Sequence, residues 1–137
     1  GVKISNIGKE FGATTGRPRR CGWLDLVSLK YAVDINGATE LAIMKSDVLS
    51  GISKIKICTS YKQSGKETSR MPFSLNSTNL SPIYSEFDGW NENITNIKNE
   101  SKLPVNLKKY ISFIEEKLDI PIKIISLGPR RDQTIYR

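Results

Sequence analysis

A chain of 137 residues with 21 Lys and Arg against 14 Asp and Glu carries a formal charge of +7 and has no histidine. The length suits one domain with a real hydrophobic core, and the charge favours anionic partners such as nucleotides, nucleic acid or an anionic surface. The missing histidine excludes an imidazole base, an imidazole metal ligand or a Ser-His pair from this chain; without an apolar run near the ~20 residues of a membrane span or a signal-peptide pattern, a soluble, cytoplasmic protein is expected.

The first stretch, "GVKISNIGKEF", lacks an initial Met and a polar tail, which suggests a segment of something longer. "GATTGRPRRCGWLD" follows, a basic loop running into an amphipathic pattern: Trp23, Leu24, Val27, Tyr31 and Ile35 recur at three- and four-residue steps, so the spacing predicts a helix from Trp23 to Ile35, stopped by Asn36-Gly37. Leu41 to Met44 reads as a short strand. Ile55 to Tyr61 reads as a second, with Ile55, Ile57, Thr59 and Tyr61 on one face. Ser64-Gly65 signals a hairpin whose second arm would close at Met71 to Phe73. Ser74 to Asn99 reads mostly as surface loop, with "SPIYSEFDGW" its one apolar island. Pro104 suits a first helical position, and Leu107, Tyr110, Ile111, Ile114 and Leu118 then form one stripe, leaving Lys108, Lys109, Glu115 and Glu116 largely outside it. "PIKIISLGP" is a strand ending at Gly128-Pro129 before a polar tail. Helix, strand, strand, helix, strand means α/β or α+β, without an internal repeat. Cys21 and Cys58 have no zinc-type spacing and read as reduced thiols. The sequons at Asn76, Asn93 and Asn99 read as chance matches in a chain rich in Asn and Ser.

Three short stretches carry chemistry. In the basic loop, Arg17, Arg19 and Arg20, with Lys9 upstream, offer planar forks or charge to carboxylates and phosphates, Thr14 and Thr15 add donors, and Gly12 and Gly16 allow close backbone approach. "MKSD", Met44 to Asp47, leaves a strand end, where α/β proteins place ligand residues. A carboxylate there accepts two hydrogen bonds from the N1–H and exocyclic amine of guanine, a pair adenine does not offer. "ISLGP" is a second strand end able to give backbone and hydroxyl contacts to a ring. A basic RNA- or DNA-binding module, with Trp23 or Tyr31 stacking on bases, is the rival reading. It requires exposed aromatics, whereas the helical stripe assigns both to the core. A purely structural dimerisation domain would explain the apolar stripes but not the Thr-Arg loop.

Together and in this order, "FGATTGRPRRCGWLDLV", "KSDVLSG", "PIYSEFDGW" and "SLGP" resemble the C-terminal third of the adenylosuccinate synthetase family, along nearly the whole chain. The resemblance implies a single domain over residues 1–137, a mixed sheet with two long helices and a hairpin. It also implies a GTP-dependent ligation of IMP and L-aspartate in purine biosynthesis, through phosphorylated IMP, by a magnesium-using homodimer that binds neither nucleic acid nor membrane. Carried over residue by residue, Ala13, Thr14, Thr15, Gly16, Arg17, Pro18 and Arg19 resemble the aspartate-gripping loop. Thr15 and Arg17 match residues near the aspartate carboxylates, Arg17 also an IMP ribose contact, and Arg19 an arginine close to both aspartate and GTP. Lys45, Ser46 and Asp47 resemble the guanine-reading segment, and Ser126, Leu127 and Gly128 its other wall. The family's catalytic aspartate and histidine, phosphate loop and magnesium ligands lie in the first two thirds. No segment here resembles them, so this piece alone is expected to be inactive. Two departures are local: Met44 stands where a small polar residue is usual, and Arg130 where an acidic one is common.

Overall fold

The structure, a computed structural model, describes residues 1–74 and 79–137; the sequon at Asn76 lies outside the described residues. In chain order the elements are α1 (Val2–Ile7), β1 (Leu24–Asp25), α2 (Leu26–Asn36), β2 (Leu41–Ile43), β3 (Lys54–Gln63), β4 (Lys66–Thr68), β5 (Leu80–Asp88), α3 (Val105–Leu118), β6 (Ile122–Ser126) and β7 (Thr134–Tyr136). Short 3₁₀ turns occupy Ser46–Leu49, Glu100–Lys102 and Arg131–Gln133. β3 is the spine of one sheet: β5 runs antiparallel along one edge, while β1 (parallel) and β4 (antiparallel) share the other. The second sheet has the order β2-β6-β7, with β2 parallel and β7 antiparallel to β6. The class is therefore α/β, built on two mixed sheets rather than one.

α3 joins them. Its stripe of Leu107, Tyr110, Ile111, Ile114 and Leu118 is buried as the periodicity requires, and packs in one core with Leu26, Ile55, Ile57, Ile122, Ile125 and Trp90. Each such aliphatic burial contributes about 1.5–3 kcal/mol. Pro104, with its preset φ, caps the helix from the residue before it.

α2 begins at Leu26, not Trp23. The Asp25 carboxylate accepts from the Val27 and Ser28 N–H groups at 3.0 and 3.1 Å, making it the cap. Leu24 and Asp25 pair with Ile57 and Cys58, so extended backbone occupies the expected first turn. The buried residues become Leu26, Val27 and Val33. Tyr31 is 50% exposed and Ile35 64%, so neither is core, and Trp23 reaches the core from outside the helix. Gly37, at φ +60°, ends the helix where expected.

The alternation expected of β3 fails at Thr59. Cys58 pairs with Tyr84 and Ser60 with Ile83, so one extra residue bulges from β3. Tyr61 thereby crosses to the face of Cys58 and Val27, away from Ile55 and Ile57. The Ser64-Gly65 turn is present, both residues at positive φ, but its second arm is β4. Met71 instead packs on Val27, Cys58 and Tyr61, and Phe73 is exposed. The expected loop over 74–99 is overturned by β5 and by the burial of Trp90 and Ile94. Likewise the polar tail contains β7, whose Ile135 is 5% exposed. Asn93 and Asn99 use their side chains locally, accepting from the Thr95 and Ser101 N–H groups. The two cysteines are free thiols, and burial pushes the Cys58 thiol upward.

Beneath α2, the Tyr61 hydroxyl donates to Asp25, to which Ser28 Oγ also donates at 3.1 Å. Burial, then this bond to a carboxylate, pushes Tyr61 from 10.0 to about 12. Burial alone pushes Tyr110 to about 12. Between these values the unfolded chain has lost protons the native chain keeps, so native stability falls as pH rises. The contribution is complete below pH 10 and is lost towards about pH 12. Denaturant midpoints measured across this range should fall with pH, and Tyr61→Phe should shallow the slope; an unaltered slope would show that Tyr61 is not held neutral.

Candidate functional site

The basic loop is pinned at its base and free at its tip. Phe11 and Pro18 form an isolated antiparallel bridge, with the Gly12 N–H on Arg17 O at 2.8 Å and the Arg19 N–H on Glu10 O at 2.9 Å. The Arg17 N–H also reaches Thr15 Oγ1 at 3.3 Å. A Cβ on Gly12 would stand 2.7 Å from that same hydroxyl oxygen, so a larger residue there must turn the Thr15 side chain away. The loop encloses a hollow of about 490 Å³ lined by Gly12, Thr15, Arg17, Pro18, Arg19 and Arg20. Ala13, Thr14 and Gly16 are exposed on the tip and do not line it. The guanidinium groups of Arg17 and Arg20 have no hydrogen-bond or ion-pair partner among the described residues. Cations held by so little of their own protein are suited to an incoming carboxylate or phosphate.

The second constellation follows from strand order. Because β2 and β6 are parallel neighbours, with Ile43 opposite Ile125, their C-terminal ends place Lys45–Asp47 beside Ser126–Gly128. A cavity of about 640 Å³ opens there, lined by Lys45, Asp47, Ser126 and Gly128. Gly8 and Lys9 after α1, Arg131 before β7 and Thr134 at its start also line it. Gly8, Arg131 and Thr134 carry no signal in the sequence, since neither α1 nor β7 is marked by strong periodicity, and Lys9, expected to serve the basic loop, lines this cavity instead. Asp47 Oδ1 is buried without a partner, an arrangement that costs free energy until donors arrive. Lys9 and Lys45 both adopt left-handed backbone, at φ 49° and 56°. The other non-glycine residues so disposed among those described, Ser64 and Asp119, serve a hairpin turn and a helix end; the two lysines instead border the cavity.

Some candidate residues point elsewhere. Ser46 is buried with an unpartnered hydroxyl and lines a separate apolar cavity of about 330 Å³ between β2 and α3. Leu127 is fully buried, with its side chain in the core and its N–H on Gln133 O, and does not line the cavity. Ser126 Oγ donates to Gly128 O at 3.1 Å. A Cβ on Gly128 would lie 2.4 Å from Gln133 Oε1, so any larger residue there must displace the Gln133 side chain. The departure at Arg130 is compensated, since its guanidinium holds Asp132 at 2.9 and 2.8 Å. Met44 is 64% exposed and leaves Lys45 anchored by other groups.

Glu10 links the two constellations. Its carboxylate contacts Lys45 Nζ through one oxygen and Arg19 Nη1, at 3.4 Å, through the other. The hydrogen bond from Lys45 holds its carboxyl below the usual carboxylate range. Lys45 Nζ also donates to Gly8 O at 2.9 Å.

By fold and site, the chain is an α/β protein whose parallel strand ends and cationic loop each open on a ligand-sized hollow. The sequence profile of the adenylosuccinate synthetase family matches residues 1–135. The chain belongs to that family. It is 53% identical over 137 residues to the adenylosuccinate synthetases of Christiangramia forsetii and of Flavobacterium psychrophilum, covering 100% of this chain and 32% of each relative. The fully ligated adenylosuccinate synthetase of Plasmodium falciparum superposes with a TM-score of 0.95 at 39% identity, covering 100% of this chain and 34% of that one. The chain thus spans about a third of the length of the relatives it matches.

Proposed function

We propose that this chain is the part of an adenylosuccinate synthetase that grips aspartate and reads the guanine of GTP. The whole enzyme, a cytoplasmic homodimer on this reading, joins IMP to L-aspartate: a phosphoryl group passes from GTP to IMP, and the aspartate amine then displaces it. The observation that supports this best is the parallel pairing of β2 with β6, which sets the unpartnered Asp47 carboxylate beside Ser126 and Gly128. There Asp47 would accept from the guanine N1–H and amine while the Lys45 stem lies on the ring. In the loop, Thr15, Arg17 and Arg19 would clamp the aspartate carboxylates, Arg17 would also meet the IMP ribose, and Arg19 would lie near GTP, so that reactants are fixed and charge is neutralised before displacement. Magnesium is not fitted by these residues: among those described, no three His, Cys, Asp or Glu side chains cluster to hold an ion. It would be held outside this chain. No described helix is long and apolar enough to cross a membrane, and none of the matched proteins supports the nucleic-acid alternative.

The test is product formation by the full-length protein from IMP, aspartate and either GTP or ATP. Adenylosuccinate should form with GTP and far more slowly with ATP. Equal use of both would remove the guanine reading, and no product with either would remove the enzyme reading.

A further inference from the structure

Resting on the guanine-site reading above, one residue outside both hollows has a role of its own. Glu10 lines neither hollow, yet it contacts a cation from each, Lys45 and Arg19. Its side chain is 18% exposed, against 52% for Lys45 and 62% for Arg19, so the carboxylate is the fixed member and the cations are the movable ones. The backbone explains the fixity. The Glu10 N–H donates to Ser5 O and its carbonyl accepts from the Arg19 N–H, both at 2.9 Å, which ties it to α1 and to the base of the basic loop.

Lys45 is the cation two residues from Asp47, and its left-handed φ of 56° starts the turn that carries the carboxylate. The Asp47 carboxylate carries the nearest negative charge along the chain, and its buried Oδ1 has no partner. The Lys45 ammonium is held instead by Glu10 and by Gly8 O. We propose that Glu10 is a positioning residue that draws the Lys45 ammonium away from Asp47, keeping that carboxylate open to the base edge, and that ties this arrangement to Arg19 in the anion loop. A substrate carboxylate arriving at Arg19 would compete for the longer, weaker contact and leave Glu10 wholly to Lys45. Binding at the loop and binding at the base pocket should therefore favour each other, by the same factor in both directions.

The experiment compares wild type, Glu10→Gln, Lys45→Met and the double variant in the full-length synthetase. Glu10→Gln keeps the size and removes the charge. Its KM for GTP should rise at least about tenfold at saturating aspartate, with kcat within about twofold and the thermal midpoint unchanged, since exposed ion pairs stabilise little. With Lys45→Met as background the same substitution should hardly change KM for GTP, because there is no ammonium left to release. Equal effects in both backgrounds, or a fall in kcat and thermal midpoint with KM unchanged, would overturn the proposal. Asp47→Asn in the same assay separates the failures. If it moves the nucleotide preference while Glu10→Gln leaves KM for GTP unaltered, only the role of Glu10 falls. If it moves nothing, the base pocket itself is wrong and the Glu10 proposal falls with it.

Discussion

Arg17→Leu in the full-length synthetase is expected to lower kcat/KM for aspartate at least about tenfold. A hydrogen bond to a charged group contributes roughly 1.5–3 kcal/mol, and about 1.4 kcal/mol is a factor of ten. The Arg17 guanidinium has no partner among the described residues and its side chain is exposed, so its removal leaves no unpaired buried charge behind. Its backbone contacts, the N–H on Thr15 Oγ1 and the carbonyl accepting from Gly12, survive the substitution. The loop should keep its shape and the thermal midpoint should not move. A loss mainly in aspartate use, with a smaller one for IMP through the proposed ribose contact, would therefore be a loss of binding rather than of fold. Steady-state kinetics with each substrate varied in turn measure it; wild-type aspartate kinetics would show that Arg17 is an ordinary solvated cation.

The elements that sequence makes legible are those whose burial is one-sided and regular. α3 buries Leu107, Tyr110, Ile111, Ile114 and Leu118, a stripe written directly in the spacing, because a single helix face meets the core. β5 hides the same information. Its half-buried positions Ile83, Ser85 and Phe87 alternate with exposed Tyr84, Glu86 and Asp88, and none of its residues is fully buried. A strand covered on one side by partial contacts has the composition of a loop. α2 misleads differently: Trp23 and Leu24 sit at helical spacing from Val27, but pairing with β3 takes their segment. Local period cannot report a partner that lies more than thirty residues onward. The bulge at Thr59 belongs to the same class, since only the pairing with β5 reveals that Tyr61 has changed faces.

The site divides in the same way. The residue types of the proposed site are visible in "ATTGRPR", "KSD" and "SLG", because forks suit carboxylates and a carboxylate would suit the edge of guanine. Their adjacency is not visible in spacing. It depends on β2 and β6 being parallel neighbours, and only the ordered set of motifs, through family resemblance, anticipates it. Glu10 and Gly8 had no signal of their own, and Lys9 was legible only as a cation of the basic loop, because their positions matter through the turn after α1 and not through any repeat.

Asp47→Asn should change which nucleotide the enzyme uses. The Asp47 carboxylate has one oxygen buried and unpartnered at the mouth of parallel strands. With guanine it would accept from both N1–H and the 2-amino group; hypoxanthine, lacking the amine, makes half of that pair. Asn keeps the size but turns one acceptor into an NH2 donor, which then faces the guanine amine donor to donor. Xanthine carries a carbonyl at that position, so the same Asn is complementary to it, accepting from N1–H and donating to the carbonyl. Preference between GTP and XTP should move by about 3 kcal/mol at most, roughly a hundredfold in the ratio of kcat/KM. Repulsion against guanine supplies part of that change, so GTP use should fall as XTP use rises. Lys45→Met should weaken all three nucleotides more evenly, since a stem against a ring face reads no edge. Steady-state kinetics with GTP, ITP and XTP as alternative substrates decide the matter. An unchanged ranking would take base recognition away from Asp47 and leave Ser126 and Gly128, on the opposite wall of the same cavity, as the groups to substitute next.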